Sequence, residues 1–244
     1  MQRMELTVLN SGSDANGYIL QNESEAIVLE CGCSLARCEE ALGYNVSKVA
    51  GVLLSHEHGD HARFAAKYVQ RMPLFATQGT LDALRLEKGC NANVLPIKQT
   101  VSIGNFKVMA FSTQHDATQP CGFLVKHPDF GLLLFATDTY YLRYTFAGLN
   151  YIMIECNYDK HILDENTRNG IVPMAVRERV LRSHLSVSDC IKTLKANDLS
   201  QVRAIMLLHL SGNNSNKENF VERVKRNTGK FTLVAQKGVT LPLL

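Results

Sequence analysis

Val52-Leu53-Leu54-Ser55-His56-Glu57-His58-Gly59-Asp60-His61 is the stretch whose reading decides the fold. Three histidines and an aspartate fall within six positions, directly after an apolar run. The run, bounded by Gly51 and Ser55, predicts a short buried strand. The residues from Ala62 to Gln70 are good helix formers and predict a helix. Ligand-type side chains therefore occupy a tight strand-to-helix loop, a rigid place for groups that must converge on one point.

Imidazole nitrogens and carboxylate oxygens together suit zinc, manganese or iron. In a locally extended loop His56 and His58 point the same way, so both can grip one ion. Asp60 and His61 follow one turn later and can reach a second. Two ions roughly 3.5–4 Å apart are a known device for hydrolysis, with a water-derived hydroxide as nucleophile and both ions polarising the substrate.

The rest of the chain is compatible with that chemistry. Its 244 residues are 45% hydrophobic and 20% charged, enough for a sizeable core and against disorder. The net charge of +3 allows a nucleic-acid partner without demanding one. Met1 to Leu6 lacks a signal-peptide apolar region, and no apolar run approaches bilayer length, so a cytoplasmic protein with no membrane association is expected. Seven scattered cysteines, Cys31, Cys33, Cys38, Cys90, Cys121, Cys156 and Cys190, read as free buried thiols. Cys31-Gly32-Cys33 lacks a second pair and reads as a turn at the core edge.

Strands are predicted over Leu6–Leu9, Tyr18–Leu20, Ala26–Leu29, Pro73–Ala76, Val94–Ile97, Val101–Ile103, Phe106–Phe111, Gly122–Val125, Gly131–Ala136, Tyr151–Ile154, Ala204–Leu208 and Phe231–Val234, the last closing the chain. Helices are predicted over Ser34–Tyr44, Thr80–Lys88 with Gly89 as stop, Ser188–Ala196 and Lys217–Arg226, with a mixed, partly helical stretch from Asn157 to Arg182. No repeat or composition break marks a linker, so a single domain over 1–244 is expected. His115, Asp138, Glu155 and His209 each follow an apolar strand, where scaffolds place function. His127 precedes Pro128 in a hairpin turn and reads as surface; His161 reads as structural.

His56-Glu57-His58-Gly59-Asp60-His61 resembles the HxHxDH signature of the metallo-β-lactamase superfamily. The resemblance implies an α+β fold, a four-layer αββα sandwich. It also implies His56, His58 and His115 on one ion, Asp60, His61 and His209 on the other, and Asp138 shared between them. The cofactors would be two divalent ions, zinc or manganese. Glu155 and His184 resemble the Glu–His pair of the phosphodiesterase branches, such as the tRNA-processing RNase Z enzymes. There His184 would protonate the leaving alkoxide and Glu155 would orient its ring. Asp60, His184 and Glu155 are thus the candidate catalytic residues.

The motifs Asn10–Gly17, Gln114–Ala117, Thr137–Thr139, Ile154–Asp159, Ser183–Ser186 and His209–Ser211 complete a closer resemblance, to the WalJ (YycJ) family of bacterial and phage proteins. That family is described as DNA exonuclease-like phosphodiesterases. The chain departs from it at Glu30, where an aspartate is more usual, and is somewhat short. The function implied is dimetal hydrolysis of phosphodiesters in nucleic acid. The alternatives are a cyclic-nucleotide phosphodiesterase of the phage anti-defence type, a thioester or lactam hydrolase, and a metal-stabilised binding module without turnover. The expected partner is a nucleic-acid or nucleotide substrate, and the sequence is compatible with a homodimer. Arg168, Arg177, Arg179 and Arg182 precede His184 and read either as phosphate contacts or as a solvated helix face.

Overall fold

The computed structural model describes residues 4–86 and 91–244. The chain divides into two compact units. The first comprises Met1–Ser112, Ala117–Gly131 and Ala235–Leu244; the second comprises Thr113–Asp116 and Leu132–Val234.

The first unit opens with the antiparallel strands β1 (Met4–Asn10), β2 (Gly17–Gln21) and β3 (Ala26–Leu29). In β1, Met4, Leu6 and Val8 are buried and their intervening neighbours less so, the period expected of a half-covered strand. The direction then changes. Helix α1 (Leu35–Ala41) carries the chain over to β4 (Val49–Leu53), which pairs parallel with β3. The short helices α2 (Gly59–Ala62) and α3 (Ala65–Tyr68) lead to β5 (Leu74–Ala76), and α4 (Gln78–Ala83) to β6 (Ala92–Val94), again parallel. Parallel neighbours need such crossovers because no tight turn can join them. Beyond β6, β7 (Thr100–Ile103), β8 (Phe106–Ser112) and β9 (Cys121–His127) run antiparallel, with Val108 opposite Val125.

The second unit is built on four parallel strands, β10 (Gly131–Ala136), β11 (Tyr151–Glu155), β12 (Ala204–Leu208) and β13 (Phe231–Val234). Ala136, Ile154, Leu207 and Val234 lie in one register row across them. Helices α5 (Lys160–Arg168), α6 (Met174–Ser183), α7 (Val187–Ala196) and α8 (Lys217–Thr228) supply the crossovers. Ser186 caps α7 by accepting the Asp189 N–H, as its position before the helix predicts. Among the described residues no helix is long and apolar enough to cross a membrane.

Several elements differ from the sequence reading. Phe231–Val234 does not close the chain, because β14 (Thr240–Leu243) follows and pairs antiparallel with β1 in the first unit. The helix expected over Ala62–Gln70 is two single turns. Phe64 N–H bonds the Cys31 carbonyl, and Cys31 N–H bonds the His61 carbonyl, so this backbone is stitched to the turn at Cys31 instead of continuing a helix. Helix α1 ends at Ala41 because Gly43 and Tyr44 are left-handed. Helix α4 starts two residues early, where Thr77 accepts the Thr80 N–H, and stops at Ala83; the expected end at residues 87–89 lies outside the described residues. Strand β6 ends at Val94, since Pro96 has no N–H for a ladder. Cys31, Cys33, Cys38, Cys121, Cys156 and Cys190 are free and buried, and Cys90 lies outside the described residues. His161 is exposed on the first turn of α5.

His127 is not on the surface. It is 3% exposed, with Nε2 2.9 Å from Glu25 Oε1 and its ring stacked near Phe130. The hairpin turn begins only after it. Burial pushes the Glu25 carboxyl up, but hydrogen bonds from Asn105 and His127 outweigh that and hold it below its ordinary 4.5. A carboxylate so depressed contributes stability above its unfolded pKa and loses it as pH falls through the folded value. Urea midpoints of Glu25→Gln and the parent chain should therefore differ at pH 7 and converge below about pH 4.5; a constant gap would contradict this role.

Gly32 shows how closely the backbone is packed beneath α2. Its N–H bonds the Asn16 carbonyl, and Asn16 N–H bonds the Asp60 carbonyl. A Cβ on Gly32 would lie 1.8 Å from the Asp60 carbonyl oxygen, which is main chain and has nowhere to go. Gly32→Ala should lower the melting temperature by about 2–12 °C, measured by thermal unfolding; an unchanged value would show that this approach is not a constraint.

Candidate metal centre

The first unit holds four candidate ligands just past β4. Ser55 N–H donates to Glu30 Oε2 at 3.4 Å, and Ser55 Oγ lies 2.8 Å from His56 Nδ1. With the ring hydrogen on Nδ1 facing Ser55, His56 Nε2 keeps its lone pair for a cation. His58 is the extended N-cap of α2, so Asp60 and His61 sit on the helical turn itself, where the sequence reading places the whole signature in a tight loop between strand and helix. The His56 ring centroid is 4.7 Å from that of His58 and 4.3 Å from that of His61. His61 Nε2 is 3.1 Å from Asp60 Oδ2 and 3.0 Å from Asn16 Nδ2, and His61 Nδ1 is 3.4 Å from Glu30 Oε2. Glu57, inside the signature, faces elsewhere: its Oε1 accepts from Thr118 N–H at 2.7 Å and Thr118 Oγ1 at 2.6 Å.

The second unit collects the others at strand ends. Asp138 follows β10, Glu155 is the last residue of β11, and His209 follows β12. These are the carboxyl ends of parallel strands, where open sheets of this kind place ligands. His184 caps the end of α6. His115 Nε2 is 3.5 Å from Asp138 Oδ2, and its Nδ1 donates to the Ser183 carbonyl at 2.9 Å. His209 Nδ1 lies 3.4 Å from Asp138 Oδ1, 3.5 Å from Glu155 Oε1 and 3.2 Å from Asn157 Nδ2. Asn157 Nδ2 also donates to the His209 carbonyl at 2.7 Å.

Glu155 is the centre of this half. It is fully buried. Its Oε2 accepts from Thr139 N–H at 2.8 Å and Leu185 N–H at 3.2 Å, while Oε1 meets His184 Nδ1 at 2.6 Å. Burial pushes the Glu155 carboxyl up, but the charge and hydrogen bond of His184 prevail and hold it low. Burial pushes the His184 ring down, and Glu155 more than reverses it, so the ring is held above the ordinary histidine value. For His115 burial outweighs the raising charge of Asp138 and holds the ring below the ordinary histidine value, in the neutral form a ligand needs.

Asp138 and His209 both have left-handed backbones, at φ 45° and 53°. Such conformations cost about 1–3 kcal/mol each for non-glycine residues and persist where the surroundings over-determine them. Asp138, Glu155, His184 and His209 can each present one donor atom within 4.8 Å of the others. Nitrogen and oxygen donors without thiolate fit divalent ions such as zinc or manganese. The residues present therefore suit divalent metal ions.

A family model described as the β-lactamase superfamily domain matches residues 26–210. The chain belongs to that superfamily. It is 27% identical over 233 residues to the exodeoxyribonuclease YycJ of Bacillus anthracis, covering 88% of this chain and 85% of that one. It is also 27% identical over 231 residues to the exodeoxyribonuclease WalJ of Streptococcus pneumoniae, covering 87% and 83%. The metallo-β-lactamase fold protein YhfI of Bacillus subtilis superposes with a TM-score of 0.73 at 15% identity, over 98% of this chain and 99% of that one. The expected fold class holds: an α+β sandwich of two mixed sheets flanked by helices. The chain is a metal-dependent hydrolase of this superfamily.

Sequence reasoning missed the supporting residues Asn16, Ser55, Thr139, Asn157 and the Ser183 carbonyl. Each lies in or beside a quoted motif, within one or two positions of a ligand-type residue or in the turn after β1, and that adjacency was the available signal. Of the four arginines, Arg177 is tied to Asp164 at 2.7 Å, and Arg168, Arg179 and Arg182 are exposed. Loss of an outer-shell partner typically costs about 10–100-fold in metal affinity. Asn157→Ala should weaken zinc or manganese binding by that much in a competition titration; unchanged affinity would show that Asn157 does not orient His209.

Proposed function

We propose that this chain is a dimetal phosphodiesterase acting on nucleic acid, in the manner of a DNA exonuclease. In this reading His56, His58 and His115 hold one divalent ion, Asp60, His61 and His209 the other, and Asp138 serves both. The same reading takes the chain as one domain over 1–244. Two ions held there would supply water activation and neutralise phosphate charge.

The protein's own part is carried by the Glu155–His184 contact of 2.6 Å. Thr139 N–H and Leu185 N–H hold the carboxylate, and the carboxylate holds His184 Nδ1. That leaves His184 Nε2–H to deliver a proton to the leaving oxygen of a cleaved phosphodiester. A positioned histidine acid is worth about 10²–10⁴-fold in rate. A thioester or lactam hydrolase does not need this arrangement. The names of the 27% identical relatives support the nucleic-acid reading.

The test is a substrate panel with metal-loaded protein: linear single- and double-stranded DNA, plasmid, RNA, and cyclic mono- and dinucleotides. Cleavage of linear nucleic acid is expected, with His184→Ala slowing it by about 10²–10⁴-fold and Asp60→Ala abolishing it. Turnover of cyclic nucleotides alone, or none of any nucleic acid, would overturn the proposal.

A further inference from the structure

The segment after Asp138 reads Thr139-Tyr140-Tyr141-Leu142-Arg143-Tyr144-Thr145-Phe146. It belongs to neither helix nor strand, yet it is pinned along its length. Tyr140 N–H donates to the Gln114 carbonyl at 3.1 Å, beside His115. Thr139 Oγ1 donates to the Tyr141 carbonyl at 2.7 Å, and its N–H donates to Glu155. Leu142 is buried, and Phe146 N–H donates to Asn197 Oδ1 at 2.7 Å. The backbone is therefore fixed to the groups that surround Asp138.

On this fixed backbone the side chains are left outside. Tyr140 is 46% exposed and Tyr141 is 56% exposed. Arg143 is exposed as well, its Nη2 3.2 Å from Gln114 Oε1. Single exposed apolar residues need no explanation, but two consecutive tyrosines beside an arginine on a pinned segment are a concentrated aromatic surface. Tyrosine rings offer π-faces to nucleobases, and arginine adds phosphate or cation–π contacts.

We infer that Tyr140 and Tyr141 form a stacking platform for the unpaired bases of a nucleic-acid end, with Arg143 on its phosphates, leading a strand toward Asp138. The inference rests on the phosphodiesterase reading and names its substrate: a strand whose terminal bases are free to stack. A blunt duplex keeps its bases stacked internally and gives the tyrosines nothing to hold.

Binding is measured without turnover, with a fluorescein-labelled single-stranded oligonucleotide, a blunt duplex and a duplex with a single-stranded overhang, at fixed salt. The chain has no tryptophan, so quenching of tyrosine emission gives a second readout. The single strand and the overhang should bind more tightly than the blunt duplex. Tyr140→Ala with Tyr141→Ala should weaken binding of the single strand by about tenfold or more, and the corresponding double Phe variant should restore it. Equal binding of all three probes, or an Ala variant with native melting temperature and unchanged affinity, overturns the inference. A protein that binds single strands through these tyrosines yet cleaves nothing would overturn the phosphodiesterase reading alone.

Discussion

A carboxylate without solvent organises the second unit's half of the centre. Burying a charge costs several kcal/mol unless partners replace its water. Glu155 finds three: the N–H groups of Thr139 and Leu185, and the ring of His184. Thr139 is the residue after Asp138, and Leu185 is the residue after His184. Satisfying Glu155 therefore places two functional side chains at once. Thr139 Oγ1 also accepts the Gln114 N–H, the residue before His115, at 3.0 Å. The network so reaches three separate segments. This is the physical reason one carboxylate at the end of β11 holds Thr139, Leu185 and His184 together.

The first unit solves the same positioning problem with main chain instead of charge. The turn at Cys31–Gly32 lies against α2, exchanging bonds with Asn16, His61 and Phe64. Gly32 is needed because only a residue without Cβ can come so near the Asp60 carbonyl. The exchange costs regular helix: the segment after the signature is broken into α2 and α3. What it gains is a defined place for Asp60 and His61 against the turn between β1 and β2.

This contrast explains what was legible in the chain. The strand ends at Asp138, Glu155 and His209 depend on local composition and spacing, and they stand where the sequence puts them. The break at Phe64 depends on a carbonyl thirty-three positions upstream, and no local propensity carries that. His127 looked like turn punctuation because Pro128 follows it; its buried place depends on Glu25, far away in the chain. β14 is four residues with a proline, too short and mixed to announce itself, and becomes a strand only by pairing with β1. The tyrosines after Asp138 were visible as letters, but their exposure was not.

Glu30 carries the comparison of the two halves furthest. It follows β3 in a left-handed conformation, φ 70°, and is fully buried. Its Oε2 is 3.4 Å from both His61 Nδ1 and Ser55 N, and its Oε1 makes no hydrogen bond among the described residues. Its charge is felt nearby all the same: burial and Glu30 together push the Cys121 thiol well up. Two other rings have closer anchors, Ser55 Oγ at 2.8 Å for His56 and the Ser183 carbonyl at 2.9 Å for His115. Hydrogen-bond strength falls steeply with such lengthening. The His61 ring thus has closer neighbours than Glu30, with Asn16 Nδ2 at 3.0 Å and Asp60 Oδ2 at 3.1 Å from its Nε2, on a backbone whose N–H bonds the His58 carbonyl and whose carbonyl accepts from Cys31.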